Sequence, residues 1–127
     1  DFVKRLFGEY YPFKLNDACG LSTYNLLTPY MLAQTLAYAY KNYDGFNGFI
    51  STLAVSGKEG TMEGRLKDIT AYAKTGTLQK VSNIAGIMIT KTGKRVAFCI
   101  MVNNFITPTY IVTAYHDEII RYVWNNY

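Results

Sequence analysis

The sequence is poor in the residues that build metal sites. It has one histidine, His116, and two cysteines, Cys19 and Cys99, which lie far apart along its 127 residues. Structural zinc sites draw four ligands from closely spaced cysteine and histidine pairs, so the sequence predicts no bound metal, and we expect no other cofactor. Two cysteines in unrelated contexts leave both a disulfide and two free thiols open.

Charge and long hydrophobic runs are also scarce. Only 17% of the residues are charged, the formal net charge is +4, and the basic side chains are scattered along the chain. Domains that bind nucleic acid concentrate Lys and Arg in a patch or stripe, so we expect no nucleic-acid partner. The mild excess of positive charge is equally compatible with a ligand that has a free carboxylate. No apolar run approaches the roughly 20 residues of a transmembrane helix.

The chain begins with Asp1, without an initiator Met or a signal peptide. We therefore expect a fragment or a processed chain, and the missing targeting signal carries no information about location. A length of 127 residues suits a single domain with its own core. Half of the residues are hydrophobic and twelve are Tyr, which indicates half-buried surfaces and a cleft or a large contact area.

The first third of the sequence contains one clear helix. Residues 1–25 mix aromatics with Gly and Pro and are expected to be irregular, with short strands at 10–15. Apolar residues at three- and four-residue spacing then predict a helix that ends within residues 42–45. Thr28 is expected to be its N-cap and Pro29 its first residue.

The rest of the sequence predicts an α+β arrangement. We expect a second, shorter helix over residues 46–53 and an ordered, glycine-rich loop over 55–65. Three strand-like runs with short connections follow, at residues 70–79, 83–90 and 95–103. Helical spacing returns at residues 108–124. The expected fold is an antiparallel meander with helices covering one face.

The tripeptide Lys-Thr-Gly occurs twice, in different contexts. The copy that ends at Gly93 lies between two apolar strands and predicts a hairpin turn. The copy that begins at Lys74 lies inside a strand, where glycine is unfavourable and usually marks the close approach of a ligand or another backbone. Lys74 is therefore either functional or a charge that protects an edge strand from aggregation.

The Lys-Thr-Gly copy at Lys74 belongs to one of four sequence blocks that together form a family pattern. In chain order they are NDACGLSTYNLLTP (16–29), GKEGTMEGRL (57–66), AKTGTLQKVSNIAG (73–86) and KRVAFCIMVNN (94–104). Together they resemble the C-terminal part of the D-alanyl-D-alanine carboxypeptidases of the low-molecular-mass, class C penicillin-binding type (peptidase family S13). The resemblance implies the serine β-lactamase/penicillin-binding transpeptidase-like fold, an α+β fold in which an antiparallel sheet has flanking helices. Residues 1–127 would be the C-terminal portion of that domain.

The resemblance also implies an activity. A serine would attack the carbonyl between the last two D-alanines of a peptidoglycan stem peptide, and water would release the acyl-enzyme. Lys74 would help to hold the terminal carboxylate and assist proton movement, and Thr75 would offer its hydroxyl to the same carboxylate. Gly76 would leave room for a substrate lying along the strand, and the N–H of Thr77 would be half of the oxyanion hole. Leu21 would line a side-chain pocket, and β-lactam antibiotics would bind at the same place.

Several residues depart from the family pattern. No serine of the chain has a lysine three residues later, and there is no Ser-x-Asn. The resemblance places both motifs upstream of Asp1, so we expect no nucleophile in this chain and no activity from it alone. Thr23 stands at the position of a family arginine, which puts substrate contacts there in question. Cys19 stands at the position of a serine and is interpreted as a small replacement without a nucleophilic role.

For two further residues, Arg65 and His116, we expect structural rather than catalytic roles. Arg65 matches the arginine of the second block and either contacts substrate or ties the glycine-rich loop to nearby carbonyls, and we favour the structural role. His116 is expected to be a solvated residue of the last helix, with Asp117 and Glu118 on its exposed face.

Three functions remain open from the sequence. The first is a fragment of a serine D-Ala-D-Ala carboxypeptidase or endopeptidase that acts on peptidoglycan in the periplasm or elsewhere outside the cytoplasm. The second is a non-catalytic module that binds peptidoglycan or peptide, and the third is a structural domain. Three strands would leave one sheet edge and part of the first helix uncovered. We therefore expect the chain to form a homodimer or to need an upstream segment of the same protein.

Overall fold

The computed structural model describes residues 2–8, 12–45 and 47–127. Its helices are α1 (Phe2–Phe7), α2 (Pro29–Asn42) and α3 (Thr109–Asn126). Its strands are β1 (Ala54–Val55), β2 (Thr70–Leu78), β3 (Val81–Ile89) and β4 (Arg95–Asn103). Single turns of 3-10 helix lie at Ile50–Thr52 and Gly60–Met62.

The strands form one antiparallel sheet in the order β1-β2-β3-β4. The predicted fold class, an antiparallel sheet with flanking helices, is confirmed, and so is the meander of three long strands. Gly93, with φ +84°, lies in the tight turn between β3 and β4, as predicted for that copy of Lys-Thr-Gly. The short strand β1 was not predicted, because two residues are too few to show an alternating pattern.

The helices cover both faces of the sheet, so the expectation that they cover one face is wrong. Phe98 of β4 belongs to a core cluster with Ile120 of α3. Arg95 lies three residues earlier in β4 and so points to the opposite face, where its guanidinium stacks over the ring of Tyr40 of α2 at 5.7 Å. The sequence of β3 explains this arrangement, because residues on both of its faces are apolar and buried.

The ends of α2 and α3 lie close to the positions that the sequence predicts. Thr28 caps α2 by accepting a hydrogen bond from the N–H of Met31 at 3.2 Å, and Pro29 is the first helical residue. The helix ends at Asn42, as predicted, and α3 lies within two residues of its predicted bounds.

Three local predictions in the first half of the chain do not hold in full. The predicted irregular segment 1–25 contains the short helix α1. Of the strands expected at 10–15, residues 10 and 11 lie outside the described residues, and Lys14 forms only an isolated bridge with Leu26. The helix expected over 46–53 begins at a residue that is not described, and the remainder contains one 3-10 turn. Only glycine fits at position 48 in this segment, since a β-carbon there would lie 2.3 Å from the carbonyl oxygen of Tyr43.

Candidate active-site edge of strand β2

Strand β2 has an edge that β1 covers only in part. β1 pairs with Tyr72 and Ala73, and beyond them no strand of the described chain lies beside β2 on this side. The N–H of Ser56 donates to the carbonyl of Ala71 at 2.9 Å, which shows that the backbone groups of Ala71 face this edge. Because backbone direction alternates along a strand, the N–H groups of residues 73, 75 and 77 face it as well. The edge can therefore accept an extended peptide as an added strand.

Gly76 leaves open space on one face of β2, beside this edge. A β-carbon at this position would meet no heavy atom within 4 Å. The sequence had indicated either a ligand or another backbone at this glycine, and no backbone of the described residues comes close. The empty volume beside Gly76 is therefore available to a ligand.

Lys74 and Thr75 point to opposite faces of β2, as neighbours in a strand must. The exposed ammonium of Lys74 donates to the carbonyl oxygen of Thr75 at 2.5 Å, which brings Nζ over the strand. The hydroxyl of Thr75 donates to the hydroxyl of Thr61 at 2.8 Å. Sequence reasoning missed Thr61, although it belongs to the second of the four blocks.

A polar cavity of about 200 Å³ lies on the α3 side of this strand. Its walls are mostly hydroxyl, amide, guanidinium and imidazole groups, contributed by Thr61, Arg65, Thr75, Thr77, Ser82, Asn83, Thr113 and His116. Thr77 and Ser82 are direct partners across the β2–β3 ladder. The cavity thus brings together three of the predicted site residues, Thr75, Thr77 and Arg65, with side chains of β3 and α3.

Arg65 joins the loop before β2 to helix α3. Its Nε lies 3.1 Å and 3.2 Å from the two carboxylate oxygens of Asp117, and its Nη2 lies 2.6 Å from Oδ1. Its Nη2 also donates to the carbonyl oxygen of Thr113 at 3.5 Å, so a nearby carbonyl is among its partners as expected, beside the carboxylate of Asp117 that was not expected. Asp117 is consequently only 25% exposed, so its placement on the exposed face was wrong, while Glu118 is exposed as expected.

His116 is buried, contrary to the expected solvated position. It is 1% exposed, and it lies with Val112 and Ile120 on the inward face of α3 at four-residue spacing. Its Nε2 has no hydrogen-bond partner within the described part of the chain. Burial and the nearby Arg65 guanidinium lower the pKa of this imidazole, against the raising effects of Asp117 and the Ser82 backbone. The ring is therefore neutral at pH 7.

Leu21 and Thr23 lie on a separate loop and do not line the polar cavity. Both are exposed. Asp17 orders this loop by accepting the N–H groups of Gly20 at 2.8 Å and Ser22 at 2.7 Å. Hydrogen bonds to Asn25 and to this backbone lower the pKa of the Asp17 carboxyl.

The thiols of Cys19 and Cys99 are not joined in a disulfide. Cys19 is exposed, while burial raises the pKa of Cys99 to about 11, so its thiol stays protonated at neutral pH. No helix within residues 2–8, 12–45 and 47–127 is long and apolar enough to cross a membrane.

Comparison with known proteins identifies the family. The sequence model of the D-Ala-D-Ala carboxypeptidase 3 (S13) family matches residues 9–119. The chain is 36% identical over 101 residues to D-alanyl-D-alanine carboxypeptidase DacB of Haemophilus influenzae, covering 73% of this chain and 20% of that protein. It is 31% identical over 100 residues to carboxypeptidase DacB of Mycolicibacterium smegmatis, covering 72% of this chain and 22% of that protein. The chain thus spans about a fifth of the length of these relatives.

Solved structures give the same result for the fold. Penicillin-binding protein 4 (dacB) from Haemophilus influenzae, in complex with a novel β-lactam, matches with a TM-score of 0.80 and 26% identity over 98% of this chain and 31% of that chain. A second crystal structure of the same protein matches with a TM-score of 0.69 and 31% identity over 83% of this chain and 24% of that chain. The predicted penicillin-binding fold is confirmed, and the chain belongs to the D-Ala-D-Ala carboxypeptidase 3 (S13) family.

Proposed function

We propose that the chain is the C-terminal portion of a penicillin-binding domain in a serine-type D-Ala-D-Ala carboxypeptidase. The complete protein would cleave peptidoglycan stem peptides outside the cytoplasm through an acyl-enzyme, as a carboxypeptidase or an endopeptidase. The observation that carries this proposal is the free edge of β2, where Gly76 leaves open space and the N–H of Thr77 faces outward.

The geometry supports a distinct role for each residue of this strand. A stem peptide would pair with the free edge as an added strand, with its scissile carbonyl oxygen at the N–H of Thr77. A fixed donor at this position stabilises the oxyanion of the tetrahedral intermediate. The hydroxyl of Thr75 and the ammonium of Lys74 would bind the terminal carboxylate. Among the described residues, Lys74 uses one of its three donors on the Thr75 carbonyl, which leaves two for this purpose.

The serine nucleophile would come from another part of the protein. Ser56 and Ser82 are buried, and the Ser56 hydroxyl is occupied by the carbonyl of Ile69 and the N–H of Ala71. Ser22 and Ser51 have no lysine three residues later. We therefore propose that the nucleophile lies upstream and that the chain alone is inactive. β-Lactams would react at the same site, in line with the β-lactam complex of the Haemophilus influenzae relative.

The two copies of Lys-Thr-Gly allow a matched test. In the protein extended upstream, release of D-alanine from a pentapeptide ending in D-Ala-D-Ala is measured for Lys74→Ala and Lys91→Ala. We expect Lys74→Ala to lower kcat/KM by about 10²- to 10³-fold, since it removes a charge that acts on the substrate carboxylate and on proton transfer. Lys91 lies in the hairpin turn and stacks over Trp124 at 5.8 Å, so its variant should keep the wild-type value. Equal activities of the two variants would refute the role of Lys74.

A binding module is the alternative function. It is favoured by one observation, namely that the β2 edge is open while none of the chain's serines is followed by the required lysine. Peptide binding by the extended protein without any release of D-alanine would support this alternative.

A further inference from the structure

The loop before β2 places a hydroxyl directly behind the proposed carboxylate site. Thr61 accepts the hydrogen bond of Thr75 at 2.8 Å, and it lies in the 3-10 turn Gly60–Met62 rather than in β2. We propose that Thr61 is a positioning residue that fixes and polarises the Thr75 hydroxyl for the terminal carboxylate of the substrate. The inference rests on the proposed function and extends it to a residue outside the Lys-Thr-Gly strand.

The position of Thr61 is fixed from two sides. Met62, the next residue, is fully buried in the core cluster with Ala71 and Ala73 of β2. Arg65 then ties the end of the same loop to Asp117 of α3. A short turn held at both points keeps the Thr61 oxygen at a constant distance from Thr75, although the Thr61 side chain itself is exposed.

The pair can change its hydrogen-bond direction without moving heavy atoms. Each hydroxyl has one donor and two acceptor positions. In the free state Thr75 donates to Thr61. When a carboxylate arrives, the Thr75 proton rotates to it and the Thr61 proton rotates to the Thr75 oxygen. The resulting chain, from Thr61 through Thr75 to the carboxylate, polarises the bond to substrate.

The polar cavity gives these protons an environment in which to rotate. Thr61 and Thr75 both line it, together with the hydroxyls of Thr77 and Ser82. The imidazole of His116, whose Nε2 has no partner within the described residues, forms another part of the wall. The hydroxyl pair is thus backed by polar groups rather than by the apolar core.

The test compares two substitutions that differ in one property. Thr61→Val keeps the shape of the side chain and removes the hydroxyl, whereas Thr61→Ser keeps the hydroxyl. Both are made in the protein extended upstream and assayed with a D-Ala-D-Ala pentapeptide and with its C-terminal amide. The amide lacks the negative charge that the hydroxyl chain is proposed to bind.

We expect Thr61→Val to raise KM for the acid peptide by about three- to tenfold with a smaller change in kcat, because a polarised hydrogen bond to a charge is weakened. Thr61→Ser should restore values near those of the wild type, and turnover of the amide should change little in either variant. A Thr61→Val enzyme with unchanged KM, or with equal losses on acid and amide, would overturn the inference while leaving the proposed function intact. A wild-type protein that releases no D-alanine would refute both.

Discussion

Arg65 and Asp117 form a side-on ion pair between the loop that precedes β2 and the last helix. Nη2 lies 2.6 Å from Oδ1 and Nε lies 3.2 Å from Oδ2, and the side chains are 16% and 25% exposed. A pair in this geometry is stronger than a solvated surface pair, because it forms two parallel hydrogen bonds that are partly shielded from water.

The structure predicts that this ion pair stabilises the fold measurably. A double-mutant cycle with Arg65→Ala and Asp117→Ala should give a coupling free energy of about 1–2 kcal/mol in urea unfolding. Arg121 and Asp68 provide the matched control, since they also join α3 to the region before β2 but are 44% and 56% exposed. Their coupling should stay below about 1 kcal/mol. Equal couplings for the two pairs would contradict this ranking.

Burial of His116 predicts a pH-dependent stability. The unfolded imidazole titrates near 6.5 and the folded one at a lower pH, so the unfolded state binds more protons between the two values. The free energy of unfolding should therefore fall as the pH is lowered through and below 6.5. The groups facing the ring are Arg65, which adds to this shift, and Asp117 and the Ser82 backbone, which oppose it.

The measurement is the urea midpoint at pH 7.5 and at pH 5.5, a window above the ordinary pKa of the carboxylates. Since His116 is the only histidine of the chain, His116→Gln should remove most of the difference between the two pH values. A variant that retains the full difference would show that another group is responsible.

Two glycines of neighbouring strands should respond oppositely to alanine. A β-carbon at Gly86 would lie 2.1 Å from the carbonyl oxygen of Tyr72 and 2.8 Å from Cα of Ala73, whereas one at Gly76 would meet nothing within 4 Å. Gly86→Ala should lower the free energy of unfolding by about 1–3 kcal/mol or more, because the backbone must move. Gly76→Ala should leave it equal or raised by up to about 1 kcal/mol.

If substrate lies beside Gly76, Gly76→Ala should lose activity although it keeps its stability. In the protein extended upstream, folded Gly76→Ala should lose acylation by penicillin because its methyl group occupies the substrate volume. Full acylation of this variant, measured beside its thermal unfolding, would contradict the placement of substrate along β2.

The helices and strands could be predicted from sequence because the signal for each lies within a short stretch of the chain. The short apolar runs of β3 and β4 and the cap of α2 at Thr28 lie within short windows, and the predicted bounds differ little from those observed. The open edge at Gly76 could also be anticipated, since glycine inside a strand is unfavourable without a reason.

The contacts behind the site could not be predicted, because they join distant positions. The Thr61–Thr75 and Arg65–Asp117 bonds depend on how a loop packs against a strand and a helix, and no local periodicity encodes this. The expectation of a solvated His116 is wrong, since the residue is 1% exposed. Its four-residue spacing from Val112 and Ile120 was the signal that indicated burial.

No strand within residues 2–8, 12–45 and 47–127 pairs with the outer edge of β4, and this edge predicts the association state of the chain. An apolar cavity of about 380 Å³ lies there between α2 and α3. Its walls include Tyr30 and Ile119, which are 56% and 47% exposed. Burying this surface is favourable, so the chain alone should dimerise, whereas the protein extended upstream should be a monomer with the edge covered.

Sedimentation of both proteins checks this, with Ile119→Lys as a variant that should dissociate the dimer. Tyr115→Lys is the control, because Tyr115 is exposed on the same helix but does not line the cavity. A monodisperse, protease-resistant monomer of the chain alone would contradict the prediction.

Labelling by a fluorescent penicillin tests the central claim most directly. The chain of residues 1–127 and the same protein extended upstream are incubated with the reagent, denatured and compared. We predict covalent labelling of the extended protein only, because the proposed nucleophile would lie upstream and the β2 edge would form the opposite wall of its site. Labelling of the short chain would place a nucleophile within it, and no labelling of either protein would contradict a serine acyl-enzyme.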